Sequence, residues 1–135
     1  MRYDELKKMY QQKKTRKPPS DEEHRIQVSC VNWFRLAHPN LKSVLFAIPN
    51  GGRRDVVTGA KLKVEGVVAG VADLILLKRN KRFGCLCIEM KTGKGRQSDT
   101  QKRWQKDVEE AGNKYAVCRS LDEFMKVVTK YLNDV

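Results

Sequence analysis

The chain has 135 residues and a mass of 15.6 kDa, one domain's length at ~100–150 residues. Its 28 Lys and Arg against 16 Asp and Glu give a net charge of +12. No apolar run approaches the ~20 residues of a membrane span, and the opening Met1-Arg2-Tyr3-Asp4-Glu5 is not followed by a signal-peptide core. These features set aside membrane and secreted classes. Four cysteines are too few for a disulfide-stapled fold.

Residues 1–19 carry seven basic and two acidic residues and include Pro18-Pro19, which predicts a basic N-terminal arm ahead of a domain over 20–135. From Ser20, the spacing of Ile26, Cys30, Trp33, Phe34 and Ala37 predicts a helix with one apolar face, ended at His38-Pro39. Residues 43–48 predict a strand, and Pro49 to Arg54 a turn-rich loop. A short helix is expected near Thr58–Val64, followed by a small, glycine-containing stretch. Residues 73–78 and 85–91 predict two strands joined by a turn over 79–84, a β-hairpin. Ser98 opens a helix bearing Trp104, Val108 and Ala111, with Gly112 just past its end. Residues 114–119 predict a strand. Ser120 and Glu123 predict a capping box for a last helix carrying Leu121, Phe124, Val127, Val128, Tyr131 and Leu132. The expected architecture is α/β: a mixed central sheet of about four strands flanked by helices, its last pair made parallel by a β-α-β crossover.

A basic balance this strong points to a polyanion, and nucleic acid is the commonest one. Residues 20–135 alone hold a net +7, so the domain is basic without its arm. Cys30, Cys85, Cys87 and Cys118 lack zinc-ligand spacing and lie in apolar segments, which predicts buried, reduced thiols and an intracellular setting.

The hairpin carries the chemistry. Antiparallel pairing sets the start of one strand beside the end of the other, so Asp73 and Glu89 converge at one end. Side chains alternate, so Glu89 and Lys91 share a face while Leu86, Ile88 and Met90 fill the other. Two convergent carboxylates repel unless a cation lies between them. Mg²⁺, an oxygen-seeking ion, is content with one or two carboxylates and a substrate phosphate. A lysine beside it adds positive charge where a phosphoryl group reacts. The reaction class is phosphodiester hydrolysis. A lone E-x-K reads by default as a cross-strand or surface ion pair, and Ser20-x-x-Glu23 and Ser98-x-x-Gln101 both read as capping boxes.

Five ordered segments resemble the VRR-NUC (virus-type replication–repair nuclease) family of the PD-(D/E)xK superfamily, whose fold resembles restriction endonucleases. They are Glu23-His24-Arg25-Ile26-Gln27, Pro49-Asn50-Gly51-Gly52-Arg53, Gly66 through Gly70 to Asp73, Ile88-Glu89-Met90-Lys91-Thr92, and Ser98-Asp99-Thr100-Gln101. Ala72 replaces the proline of the superfamily motif. The resemblance implies an Mg²⁺- or Mn²⁺-dependent DNA endonuclease, specific for structures such as four-way (Holliday) junctions or flaps, in replication or repair and in phage or mobile-element biology. A phage-encoded chain would act in the cytoplasm of a bacterial host.

Residue by residue, the resemblance implies Asp73 and Glu89 as metal ligands, with the Met90 backbone carbonyl and Glu23 as further ligands. It assigns Lys91 to transition-state charge or water positioning, and Gln101 to substrate contact or orientation of Lys91. Gln27 is a weaker candidate, and Glu22 rivals Glu23. Asn50, Arg53, Arg54, Lys94, Arg96, Lys102 and Arg103 are candidate nucleic-acid contacts. A homodimer or a specificity-giving protein partner is compatible with so small a domain. The alternatives are a non-catalytic basic nucleic-acid-binding module, or a domain whose basic arm contacts an acidic protein.

Overall fold

A computed structural model describes residues 2–5, 19–49 and 56–135, with side chains from 21 and 58 onward in the last two stretches. The predicted basic arm falls largely outside these residues, and so do Asn50, Arg53 and Arg54.

The elements in chain order are α1 (Pro19–Ala37), a 3₁₀ segment (Pro39–Val44), β1 (Leu45–Ala47), α2 (Val56–Val64), β2 (Leu74–Leu76), β3 (Leu86–Met90), α3 (Asp99–Glu110), β4 (Lys114–Cys118) and α4 (Leu121–Asn133). The four strands form one sheet in the order β1-β2-β3-β4. β1–β2 and β2–β3 are antiparallel, and β3–β4 is parallel, as the α3 crossover requires. Among the described residues, no helix is long and apolar enough to cross a membrane.

Strand alternation divides the core. Leu74, Leu76, Leu86, Ile88, Met90 and Cys118 face Cys30 and Phe34 of α1 and Phe124, Val128 and Tyr131 of α4. On the opposite face, Cys87 and Tyr115 pack with Ala72, Ile75, Trp104 and Val108, so α3 covers that side. Trp33 stands edge-on to Phe124, with ring centroids 6.0 Å apart. Ala37 and Ala111, expected on apolar faces, are exposed. Ala37 is the last residue of α1 and Ala111 the C-cap of α3.

Two further expectations change. Ser43 and Val44 close the 3₁₀ segment rather than opening a strand, because Pro39 fixes φ at its first turn. The ladder still reaches past β1 at both ends, through Leu77 N donating to Val44 O (2.8 Å) and Ile48 N to Asp73 O (2.9 Å). At α4, Ser120 Oγ accepts from Glu123 N (3.1 Å), but the Glu123 carboxylate accepts from Arg119 N (2.6 Å). The reciprocal half of the expected capping box is thus shifted one residue upstream.

The turn between β2 and β3 is fastened to α4. Asn80 Oδ1 accepts from Arg82 N (3.0 Å) and Phe83 N (2.8 Å), while its Nδ2 donates to Tyr131 O (3.1 Å). Tyr131 O–H donates to Lys78 O at 2.6 Å. The register of the hairpin, Leu74↔Ile88 and Leu76↔Leu86, is thereby fixed at the end away from Asp73.

Candidate active site

The register brings the start of β2, the end of β3 and the end of β4 to one edge of the sheet. Asp73 stands just before Leu74, and Oδ2 of its carboxylate accepts from Met90 N at 2.7 Å. Glu89 lies two residues beyond Cys87 on the α3 side and is 2% exposed. Its Oε1 accepts from Gln101 Nε2 at 3.2 Å and lies 3.9 Å from Lys91 Nζ. The Lys91 side chain is 16% exposed. The predicted convergence of Asp73 and Glu89, with Lys91 on the Glu89 face, is the arrangement found, while Gln101, implied to contact substrate or orient Lys91, bonds Glu89.

Gln101 resolves an apparent choice. Its Oε1 accepts from Ser98 N at 2.9 Å and its N–H donates to Ser98 Oγ at 3.2 Å, completing a capping box. Its Nε2 remains free for Glu89, so one amide caps α3 and supports the site at once. The position of α3 is set by Gly70, whose φ is +83°. A Cβ there would collide with the Thr100 backbone and lie 2.9 Å from Gln101 N.

The electrostatics follow from burial. Little water reaches Glu89, so its carboxyl is pushed up to about 8. A hydrogen bond with the Asp73 side chain and the field of that carboxylate push the same way, while Lys91 pulls it down. When Glu89 is ionised, its buried Oε2 has no hydrogen-bond donor among the described residues. Glu23, half-buried on α1, is also raised, by burial first and then by Asp73. Glu23 contributes to the field at Glu89, whereas Glu22 is exposed. Gln27 lines a surface hollow with His24 and Arg35.

A hard divalent cation fits this donor set. A buried carboxylate oxygen with no hydrogen bond among the described residues, and a second carboxylate beside it, suit a divalent ion that takes oxygen ligands. Among the described residues, no three His, Cys, Asp or Glu side chains form a metal-holding group. A pair of carboxylates with water and phosphate oxygens suits Mg²⁺ better than a closed zinc site. The four cysteines are unbridged. Burial pushes the Cys30 thiol up to about 11 and those of Cys87 and Cys118 up to about 12, so they serve as core. Cys85 is only half-buried.

Lys94, Arg96, Lys102 and Arg103 are exposed. Arg103 donates to Asp99 O on its own helix, at 3.4 Å. Residues not anticipated from the sequence complete the surroundings: Tyr115, Gln97 and Arg119. Gln97 Nε2 donates to Tyr115 Oη (3.1 Å) and to Gln105 Oε1 (2.9 Å). The register Cys87↔Tyr115 was the signal that could have placed Tyr115 on the Glu89 face. A cavity of about 730 Å³ lined by Phe83, Lys114 and Lys130 lies at the opposite end of the sheet and touches none of the predicted catalytic residues.

Comparison with known proteins agrees with this geometry. No curated protein gives a significant match. A solved structure described as a VRR_NUC domain protein shares the fold, with a TM-score of 0.73 and 24% identity over 83% of this chain and 88% of that one. The VRR-NUC domain model matches residues 7–122, a span that begins inside the predicted arm and includes Asp73, Glu89, Lys91 and Gln101. The chain therefore belongs to the VRR-NUC family of nuclease domains.

Proposed function

We propose that the chain is a divalent-metal-dependent DNA endonuclease whose active site is built on Asp73, Glu89 and Lys91. The observation that carries this is the buried Glu89 carboxylate beside Asp73, with Lys91 Nζ 3.9 Å from Oε1 and no donor to Oε2 among the described residues. A burial this costly is rarely kept for stability alone.

Asp73, Glu89 and the Met90 carbonyl would hold Mg²⁺ or Mn²⁺; Glu23, which forms no three-carboxylate group with them among the described residues, would add only its negative field from α1. When bound, the ion supplies Lewis-acid charge to the phosphoryl oxygens and lowers the pKa of water. Met90 N fixes Asp73 and Gln101 fixes Glu89, so both carboxylates keep their orientation as the site fills. Lys91 places a compact positive charge where the phosphoryl oxygens gain negative charge as water attacks phosphorus and the P–O ester bond breaks. The basic surface of Lys94, Arg96, Lys102 and Arg103 binds the phosphate backbone without reading bases. Asn50, Arg53 and Arg54, which lie outside the described residues, are proposed as further backbone contacts from the resemblance of their segment alone.

Backbone binding of this kind favours recognition by DNA structure, as at junctions or flaps in replication or repair. Cutting two strands would call for a symmetric pair of chains. Unbridged, buried thiols suit an intracellular enzyme, including a phage-encoded one.

The test is cleavage of end-labelled single-strand, duplex, flap and four-way-junction DNA with Mg²⁺, Mn²⁺ or EDTA, beside Glu89→Ala. Metal-dependent products that vanish in Glu89→Ala are expected. DNA binding without cutting in either metal would leave a non-catalytic binding module.

A further inference from the structure

Lys91 N donates to Cys118 O at 3.0 Å. The parallel ladder thus runs one step past β3 and β4, and it sets Arg119 beside the loop that follows Lys91. Arg119 Nη1 donates to the carbonyls of Gly93 (3.0 Å) and Gly95 (2.8 Å). Gly95 N closes a tight turn by donating to Thr92 O at 2.8 Å. At the far end of the loop, Gln97 is bound to Tyr115 and Gln105. Arg119 is itself held, because its N–H donates to Glu123 on α4. Between the two fastenings, Lys94 and Arg96 are exposed, and residues 91–98 contain no acidic side chain.

We propose that Arg119 is a positioning residue that holds the 92–97 loop as a preformed grip for the sugar–phosphate backbone, immediately downstream of Lys91. This rests on the nuclease reading above. A loop with glycines at 93 and 95 has much conformational freedom to lose on binding. Two hydrogen bonds from one planar guanidinium remove that freedom before the nucleic acid arrives, which raises affinity without a new contact to the ligand. Lys94 and Arg96 then meet phosphates from a fixed loop and release counterions there.

The experiment uses the full chain and labelled duplex and four-way-junction DNA. It measures binding in Ca²⁺, kcat and KM in Mg²⁺, and amide exchange of the free protein. Arg119→Ala is expected to weaken binding and raise KM by about tenfold, with kcat held within about twofold. Exchange at 93–97 should quicken while β3 and β4 stay protected, and Arg119→Lys should recover part of the loss. In a Lys94→Ala/Arg96→Ala background, Arg119→Ala should cost less than about twofold, because the loop then has no cation left to present. Full additivity in that background would make Arg119 a direct phosphate contact and overturn the inference. So would unchanged exchange at 93–97, or unchanged KM and binding, in a protein whose wild type binds and cuts DNA. A wild type that neither binds nor cuts would overturn the nuclease reading along with it.

Discussion

Replacing Glu89 by Gln should stabilise the metal-free protein at alkaline pH while abolishing its activity. Burial raises this carboxyl from 4.5 to about 8, so between those values the folded chain keeps a proton that the unfolded chain gives up. Stability contributed by the protonated form is present in full below pH 4.5 and is lost as pH rises through about 8. At about 1.4 kcal/mol per pH unit, the loss across that window has a ceiling of about 5 kcal/mol. Gln cannot ionise. Its Oε1 can still accept from Gln101, and its Nε2 can donate toward Asp73. Against this, Lys91 loses the partner 3.9 Å away, a cost of about 1 kcal/mol for a partly exposed pair. Urea unfolding in EDTA should therefore find Glu89→Gln more stable than wild type by roughly 2–4 kcal/mol at pH 8.5, and nearly equal to it at pH 5. A variant less stable than wild type at pH 8.5, or a wild type whose stability is flat between pH 5 and 8.5, would refute the assignment of Glu89 as a buried, uncompensated carboxylate.

Gly70→Ala combines a positive-φ backbone with a collision against the first turn of α3; roughly 2–5 kcal/mol of destabilisation is expected in urea melts, with reduced turnover as Gln101 shifts. Gln101→Glu keeps the acceptor that caps α3 but sets a third carboxylate against Glu89. Its stability loss should be larger at pH 8 than at pH 5 and its cleavage rate about 10- to 100-fold lower, whereas equal losses at both pH values would mean that only the cap matters. Phe124→Ala empties a fully buried site between α1, α4 and the sheet and should cost about 3–5 kcal/mol, seen as a lower urea midpoint with the same slope. Mg²⁺ or Mn²⁺ at millimolar concentration should raise the melting temperature of wild type but not of Glu89→Ala, since only an ion bound to the folded state stabilises it.

The hairpin was legible in the sequence because two short-range rules suffice: antiparallel neighbours bring Asp73 to the end of the strand holding Glu89, and alternation puts Glu89 and Lys91 on one face. The helices were legible where apolar spacing persisted over several turns, as in α4. Helix ends were not, because Ala37 and Ala111 keep the apolar period yet are exposed at the ends of α1 and α3. Arg119 was invisible for a different reason. Its partners are the carbonyls of Gly93 and Gly95, 26 and 24 residues away, and no side-chain pattern marks a carbonyl. Gln101 was legible as a cap and as a site residue, but only the structure shows both amide atoms in use.

The parallel pairing of β3 with β4 governs when, during synthesis, a cutting centre can exist. Asp73 and Glu89 lie on the hairpin, but the Gln101 donor arrives with α3, and α3 is held on the sheet by Tyr115 of β4. The other face stays open until Phe124, Val128 and Tyr131 of α4 close it. A chain still emerging from the ribosome therefore carries its acidic pair on an unsupported ribbon, and two-stranded ribbons are marginal in water. A partial chain would lack the Gln101 donor and the α4 cover, so the proposed centre is complete only in the folded whole domain.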